Sequence, residues 1–335
     1  MRDDPRLRQG PVAVGGKQDQ RGVIATCNYE ARKFGVHSAM SSSKAMNLCP
    51  SLILVPARMD VYRDVSRQMR EIFFDYTDLV EPLSLDEAYL DVSHSSLCHG
   101  SATLIAEEIR QRIAKKLKIT VSAGVAPNKF LAKVASEWKK PDGLTVVSPD
   151  RIDSFVQRLP VSYIHGVGKV TTEKMRSCGI NICADIRQKN IYELYKLFGV
   201  FGSKLYEFSH GRDDREVVSQ RQRKSLSVEN TYVEDLPDLS ACLSHLPLLY
   251  SQLESRLDTI DECYKTTKAF VKIKFNDFSG TTLERLGTSV DLENYRELLM
   301  EAFERGNKPV RLLGLGVRFI SLTSENGFLQ LPLFK

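Results

Sequence analysis

Ser84-Leu85-Asp86-Glu87-Ala88-Tyr89-Leu90-Asp91 sets two carboxylates side by side in an apolar run flanked by Leu83 and Val92. Adjacent carboxylates repel, and burial disfavours their charged forms further. A divalent cation is the simplest compensation. Mg²⁺ takes hard oxygen donors and keeps several waters and substrate phosphates in its shell. Two such ions about 3.5–4 Å apart can stabilise the attacking and leaving oxygens of an in-line phosphoryl transfer. A charged hairpin turn is the plainer alternative for an Asp-Glu pair. Leu83, Leu85, Leu90 and Val92 weigh against it, because a solvent-facing turn is seldom so apolar.

Around this centre the pattern is mixed. Residues 83–92 read as two strand pieces about the acids. Upstream, residues 61–79 carry Val65, Met69, Ile72 and Phe73 on one helical face, Tyr29–Phe34 reads as a short helix ended by Gly35, and Val12–Val14 and Val23–Thr26 read as strands. Downstream, a helix is expected over 101–118 with Leu104, Ile105, Ile109, Ile113 and Leu117 inward, a strand over 119–125, a helix over 128–138 and a strand over Leu144–Val147. Helices alternating with strands imply an α+β layer packing. Residues 150–210 become short helices punctuated by glycine, 212–224 read as a charged, exposed linker, and 225–322 return to helix and strand. There helices are expected near 239–259 and 291–304, with strands at 268–276 and 310–321.

The 335 residues exceed the roughly 100–200 of one domain. The 47 Lys+Arg against 42 Asp+Glu leave a net charge of +5, which permits a polyanionic partner without requiring one. The 7 cysteines are scattered and form no Cys-x-x-Cys pair, which argues against a disulfide framework or a structural zinc site and points to a reducing cytoplasm. No apolar run approaches the ~20 residues of a membrane span, and the N-terminus lacks the apolar core of a signal peptide.

Four strings in order carry a resemblance: Thr26-Cys27-Asn28-Tyr29-Glu30-Ala31-Arg32-Lys33-Phe34-Gly35-Val36, the acidic octapeptide, Ser122-Ala123-Gly124-Val125-Ala126-Pro127-Asn128-Lys129, and Lys140-Pro141-Asp142-Gly143. Together they resemble the Y-family, or lesion-bypass, DNA polymerases over essentially the whole chain. The resemblance implies an α+β multidomain right-hand polymerase. Its parts would be small fingers with a remnant of the palm start (1–60), a ferredoxin-like palm (61–148), a helix-hairpin-helix thumb (149–212), a linker (213–224), an α/β little finger (225–322) and a tail (323–335). It implies error-prone, template-directed addition of deoxynucleotides to a primer 3′ end with two Mg²⁺ ions held by Asp86 and Glu87. Thr26, Tyr29, Arg32 and Lys140 would contact the incoming triphosphate. Tyr29 and Arg32, three apart on a short helix, share a face. The family draws a third carboxylate from an N-terminal apolar strand that also bears the aromatic residue excluding ribonucleotides. Neither is present in this sequence. Met1 matches the end of the helix after that strand, and Asp3 and Asp4 match a surface segment. The expectation is little or no polymerase activity in the chain as written, from a misplaced start or a truncated gene. The alternative is an inactive protein that binds DNA and a sliding clamp.

Further basic positions fit a duplex backbone. Gly166 and Gly168 open a helix whose N-terminal N–H groups, with Lys169 and Lys174, suit phosphate; the pattern resembles a helix-hairpin-helix motif. Arg223 and Lys224 lie in the linker. Lys272 and Lys274 alternate with Val271, Ile273 and Phe275, which puts both lysines on one strand face. The terminal Gln330-Leu331-Pro332-Leu333-Phe334-Lys335 resembles a sliding-clamp-binding peptide, with Gln330, Leu331, Leu333 and Phe334 as its contacts. Primer-template DNA, deoxynucleoside triphosphates and the clamp are the implied partners of a monomer.

Overall fold

A computed structural model describes residues 2–261, 263–287 and 290–321. The chain divides into two compact units, one of Asp3–Ala57 with Arg221–Lys335 and one of Arg58–Gln220.

The first segment of the first unit holds β1 (Val12–Gly15), β2 (Ile24–Cys27), α1 (Tyr29–Lys33), α2 (Ser42–Leu48) and β3 (Ile53–Val55). Strand β1 is central, antiparallel to β2 and parallel to β3. Its core is small: Ala13, Ile24, Ala31, Val36, Met40, Ala45, Cys49 and Leu52. Asn28 caps α1 by accepting the Ala31 N–H at 3.0 Å, and its amide also donates to the Gly10 carbonyl at 2.8 Å.

In the second unit come α3 (Met59–Phe74), β4 (Val80–Pro82), β5 (Ala88–Leu90), α4 (Ala102–Leu117), β6 (Ala123–Val125), α5 (Lys129–Trp138) and β7 (Leu144–Val146). Helices α3 and α4 bury Met69, Ile72, Ile105, Ile109, Ile113 and Leu117 together; each such side chain contributes about 1.5–3 kcal/mol. Leu104, expected inward, is 45% exposed. The strands form two separate ladders, β4–β5 antiparallel and β6–β7 parallel. The strand expected over 119–125 is thus only its last three residues. Gly124 allows β6 to lie against α5: a Cβ there would stand 2.1 Å from the Ala132 carbonyl.

The same unit continues with α6 (Ile152–Gln157), α7 (Lys169–Ser177), α8 (Cys183–Arg187), α9 (Ile191–Phe198) and α10 (Val200–Ser209). Their apolar faces share one core with α5, and Phe130 stacks on Phe208 at 4.5 Å.

Back in the first unit lie β8 (Ser225–Leu236), α11 (Leu239–Leu257), β9 (Tyr264–Phe275), β10 (Gly280–Leu286), α12 (Leu292–Glu304) and β11 (Val310–Ser321). The sheet order is β10-β9-β11-β8, with neighbours antiparallel. Helices α11 and α12 cover one face around Tyr295, Leu298, Val271 and Leu313. Strands β8 and β10 went unread in the sequence: Asn230 and Glu234 interrupt the apolar alternation of β8, and β10 turns only Leu283 as an apolar side chain to the core. Arg21 bonds Asp235 of β8 at 2.6 Å.

Candidate functional site

Asp86 and Glu87 sit at the tip of the β4–β5 hairpin. The register ends at Pro82 opposite Ala88, and the Leu83 and Ser84 N–H groups donate to the Glu87 carbonyl at 2.9 and 3.4 Å. Two strand pieces do flank the acids, as Val80–Pro82 and Ala88–Leu90, but the acids themselves occupy the hairpin turn that the neighbouring leucines had weighed against. Asp86 is exposed, Glu87 is half-buried and Leu85 is 37% exposed, so the surrounding leucines do not bury the pair. Ser84 Oγ donates to Asp86 Oδ1 at 2.6 Å and accepts the Asp86 N–H at 3.3 Å, holding the carboxylate. Asp86 and Glu87 line one recess with Ser84, Leu85 and, from α3, Arg70 and Phe73. Asp91 accepts the Ser93 N–H at 2.9 Å, a local turn role.

Glu87 Oε1 accepts from Lys133 Nζ at 2.8 Å, Lys133 reaches Glu137 Oε1 at 3.4 Å, and Lys140 Nζ meets that same Glu137 oxygen at 2.6 Å. Burial works against the charge on Lys133, but the Glu87 and Glu137 carboxylates outweigh it and raise its pKa. Burial likewise opposes the charge on Glu137, and Lys140 and Lys133 together still hold its carboxyl below the usual range. Neither Lys133 nor Glu137 was picked out in the sequence. The signal was there: 129, 133 and 137 recur every four residues on one helical face, and 140 follows at three.

The donors fit a hard cation in part. Two carboxylates face a solvent-open recess, which leaves room for waters and phosphate oxygens. Among the described residues no group of three or more His, Cys, Asp or Glu side chains could hold a metal ion.

Helix α1 presents Tyr29, 48% exposed, and Arg32, also exposed, with exposed Thr26 at the end of β2. Lys33 pairs with Glu30 at 2.9 Å instead. These residues belong to the first unit, whereas the acids and Lys140 belong to the second.

In the thumb region Gly166 has φ +93°, a left-handed turn that glycine adopts without strain, and Gly168 precedes α7 as its N-cap. Lys169 at the helix start is exposed. Lys174 donates to the Leu197 carbonyl and lies 5.3 Å from the Phe198 ring centroid, so it ties α7 to α9. On the sheet, Lys272 and Lys274 do share the outer face, yet Lys272 pairs with Glu229 at 2.7 Å and Lys268 with Glu284 at 2.6 Å. The face is mixed in charge. Lys274 stands 5.3 Å from the Phe278 ring centroid. Lys224 and Arg223 are exposed, the latter giving its N–H to Tyr264 Oη at 3.1 Å. Gln330, Leu331, Leu333 and Phe334 lie outside the described residues.

The supposed linker is in part bound to its own unit. Asp213, its side chain 2% exposed, accepts the Phe130 N–H at 2.8 Å and pairs with Arg215 at 2.6 Å. Asn128 donates to the Gly211 carbonyl at 2.8 Å. Glu81 and Lys129, a buried ion pair, bind residues 216–218 from both sides: Glu81 accepts the Val218 N–H at 2.9 Å and Lys129 donates to the Glu216 carbonyl at 2.9 Å.

Comparison with known proteins identifies the ancestry of this arrangement. The impB/mucB/samB family matches residues 1–137, its C-terminal domain matches 223–333, and the DNA polymerase-iota thumb domain matches 162–213. DNA polymerase IV of Ectopseudomonas mendocina is 58% identical over 331 residues, covering 99% of this chain and 94% of that protein. The chain belongs to the Y-family DNA polymerases. DNA polymerase IV of Pseudomonas fluorescens is 56% identical over 335 residues, 100% of this chain and 94% of its own length. Among solved structures, a Y-family DNA polymerase chimera built on Dbh superposes with a TM-score of 0.85 at 30% identity, over 94% of this chain and 93% of that one. An insertion ternary complex of Dbh DNA polymerase gives 0.65 at 29% identity, over 95% and 94%. The thumb-domain match takes in helices α7–α10, and the C-terminal-domain match takes in the four-stranded sheet. No helix among the described residues is long and apolar enough to cross a membrane.

Proposed function

We propose that this Y-family polymerase adds deoxynucleotides to the 3′ end of a primer on a damaged template, with the hairpin tip of β4–β5 as its metal site. The observation that carries the reading is the convergence of Asp86 and Glu87 on one recess, with a ladder of charged side chains leading from Glu87 to Lys140. Asp86 and Glu87 would hold two Mg²⁺ ions together with water and substrate oxygens. Bound there, the ions would supply charge neutralisation to the attacking and leaving oxygens. Ser84 keeps the Asp86 carboxylate oriented. Lys140 would act as a point charge toward the triphosphate, and Arg32 would offer a planar fork to it beside Tyr29 and Thr26. Gly166, Gly168 and Lys169 would cradle the duplex backbone, with Arg223, Lys224, Lys272 and Lys274 adding contacts that carry no sequence information. Lys174, tied to Leu197, would serve that site by fixing α7 against α9. The peptide Gln330–Phe334 would tether a monomer to the sliding clamp in the cytoplasm.

The donor count favours a second reading. The described residues offer two carboxylates where the family resemblance implies three, so catalysis by this chain is expected to be impaired, and a protein that occupies primer ends and the clamp without extending them is the alternative. Primer-template extension at high Mg²⁺ separates the two. Incorporation by the chain that disappears in Asp86→Ala/Glu87→Ala supports the enzyme. Tight primer-template binding with no incorporation supports the alternative, and equal incorporation by chain and double variant removes the acids from the metal site.

A further inference from the structure

We propose that Lys133 and Glu137 are positioning residues that couple occupation of the Glu87 site to the freedom of Lys140. The proposal rests on the reading of Glu87 as a metal ligand and of Lys140 as a triphosphate contact. Four side chains alternate in sign along the edge of α5: Glu87, Lys133, Glu137, Lys140. One oxygen, Glu137 Oε1, serves both lysines, Lys140 at 2.6 Å and Lys133 at 3.4 Å. Lys133 is the least exposed of the four at 18%, so its charge needs an acceptor at all times.

Without metal, Lys133 is the cation that satisfies Glu87. A divalent cation arriving at Glu87 repels it. The nearest other acceptor is the Glu137 oxygen, already in reach. As Lys133 closes on that oxygen, it weakens the hold on Lys140, whose ammonium is then free for an anionic phosphate. Coupling of this kind is reciprocal in binding free energy. Glu137 therefore restrains Lys140, and Lys133 relieves the restraint.

The two neighbours should act in opposite directions, which a role in supporting the fold does not produce. The probe is inorganic tripolyphosphate bound to the full chain in EDTA, read by the fluorescence of Trp138, the chain's 1 tryptophan. Glu137→Gln should tighten binding about two- to fivefold, the range set by partly exposed ion pairs. Lys133→Met should weaken it by a similar factor, since Glu137 then answers to Lys140 alone, and Lys133→Arg should stay near the parent. Any other pairing of signs for Glu137→Gln and Lys133→Met overturns the relay. Mn²⁺ alone, titrated by electron paramagnetic resonance, separates this failure from that of the site. Glu87→Gln should lose Mn²⁺ affinity and Lys133→Met should gain it about two- to fivefold. Unchanged Mn²⁺ binding in Glu87→Gln sinks the metal site itself. A loss in Glu87→Gln without a gain in Lys133→Met leaves the site standing and overturns only the relay.

Discussion

Glu81 shows how a charge survives inside this protein. It is 1% exposed on β4, and Lys129 at the start of α5 is 7% exposed. Burying either alone would cost several kcal/mol. Together they neutralise each other, and the strand's neighbour Tyr89 presents its ring 5.1 Å from the Lys129 ammonium. The Val218 N–H and the Glu216 carbonyl take up further hydrogen-bonding capacity. Lys129→Met leaves the carboxylate buried with its cation gone, and should cost about 3–5 kcal/mol in urea denaturation. Adding Glu81→Gln should restore part of that loss, because the uncompensated charge is removed. A single variant within about 0.5 kcal/mol of the parent, typical of a surface site, would contradict this. The physical rule that buried acids need a partner was legible in the sequence, but it was applied to Asp86 and Glu87. Those acids sit at a hairpin tip. The buried one is Glu81, five residues earlier, and its partner lies 48 positions along the chain, a distance no local pattern spans.

At the scale of elements, the strongly periodic helices were readable and the weakly periodic strands were not. Helices α3, α4 and α5 follow from apolar spacing and from caps such as Asn128, whose Oδ1 accepts the Leu131 N–H at 3.0 Å. Strand β8 turns Leu226, Val228, Tyr232 and Leu236 toward its core, but Asn230 and Glu234 interrupt that alternation, so the period is weak. The segment after α10 misled for a different reason. Its charges suggested solvent, yet Asp213 is spent on the N-terminus of α5 and on Arg215. Burial raises the Asp213 pKa, but the Arg215 guanidinium and the Phe130 and Arg215 N–H groups outweigh it and hold the carboxyl below its ordinary value. A depressed folded pKa means stabilisation that is present above the unfolded value of about 3.9 and is lost as pH falls through the folded one. Asp213→Asn should therefore be less stable than the parent at neutral pH by about 1 kcal/mol or more. The difference should close on acidification below pH ~4. A gap that stays constant from neutral to acidic pH would show that the carboxylate's charge is not what binds the segment.

Across the whole molecule, charge decides how the protein meets a polyanion. The order of the polymerase motifs was visible in the chain, and so was the alternation that puts Lys272 and Lys274 on one face of β9. The acids opposite them were not, because pairing across strands depends on register: Gly314 of β11 stands opposite both Lys272 and Glu229, bringing those two residues from β9 and β8 to the same level. A net charge of +5 is modest, so affinity for DNA has to come from local clusters, and each cation that neutralises a phosphate releases counter-ions. Lys224 is exposed, its carbonyl accepts the Phe319 N–H at 3.0 Å, and its side chain pairs with no acid among the described residues. Lys224→Ala should lower the slope of log affinity against log salt by about 0.9. Lys272 must leave Glu229 before it can serve a phosphate, so Lys272→Ala should change the slope less. Glu229→Gln frees Lys272 without touching DNA itself. It should tighten primer-template binding at low salt and steepen the slope, as measured by fluorescence anisotropy across a salt series. If Glu229→Gln leaves both affinity and slope where they were, the little-finger face is self-neutralised at that point, and Lys272 takes no part in holding the duplex.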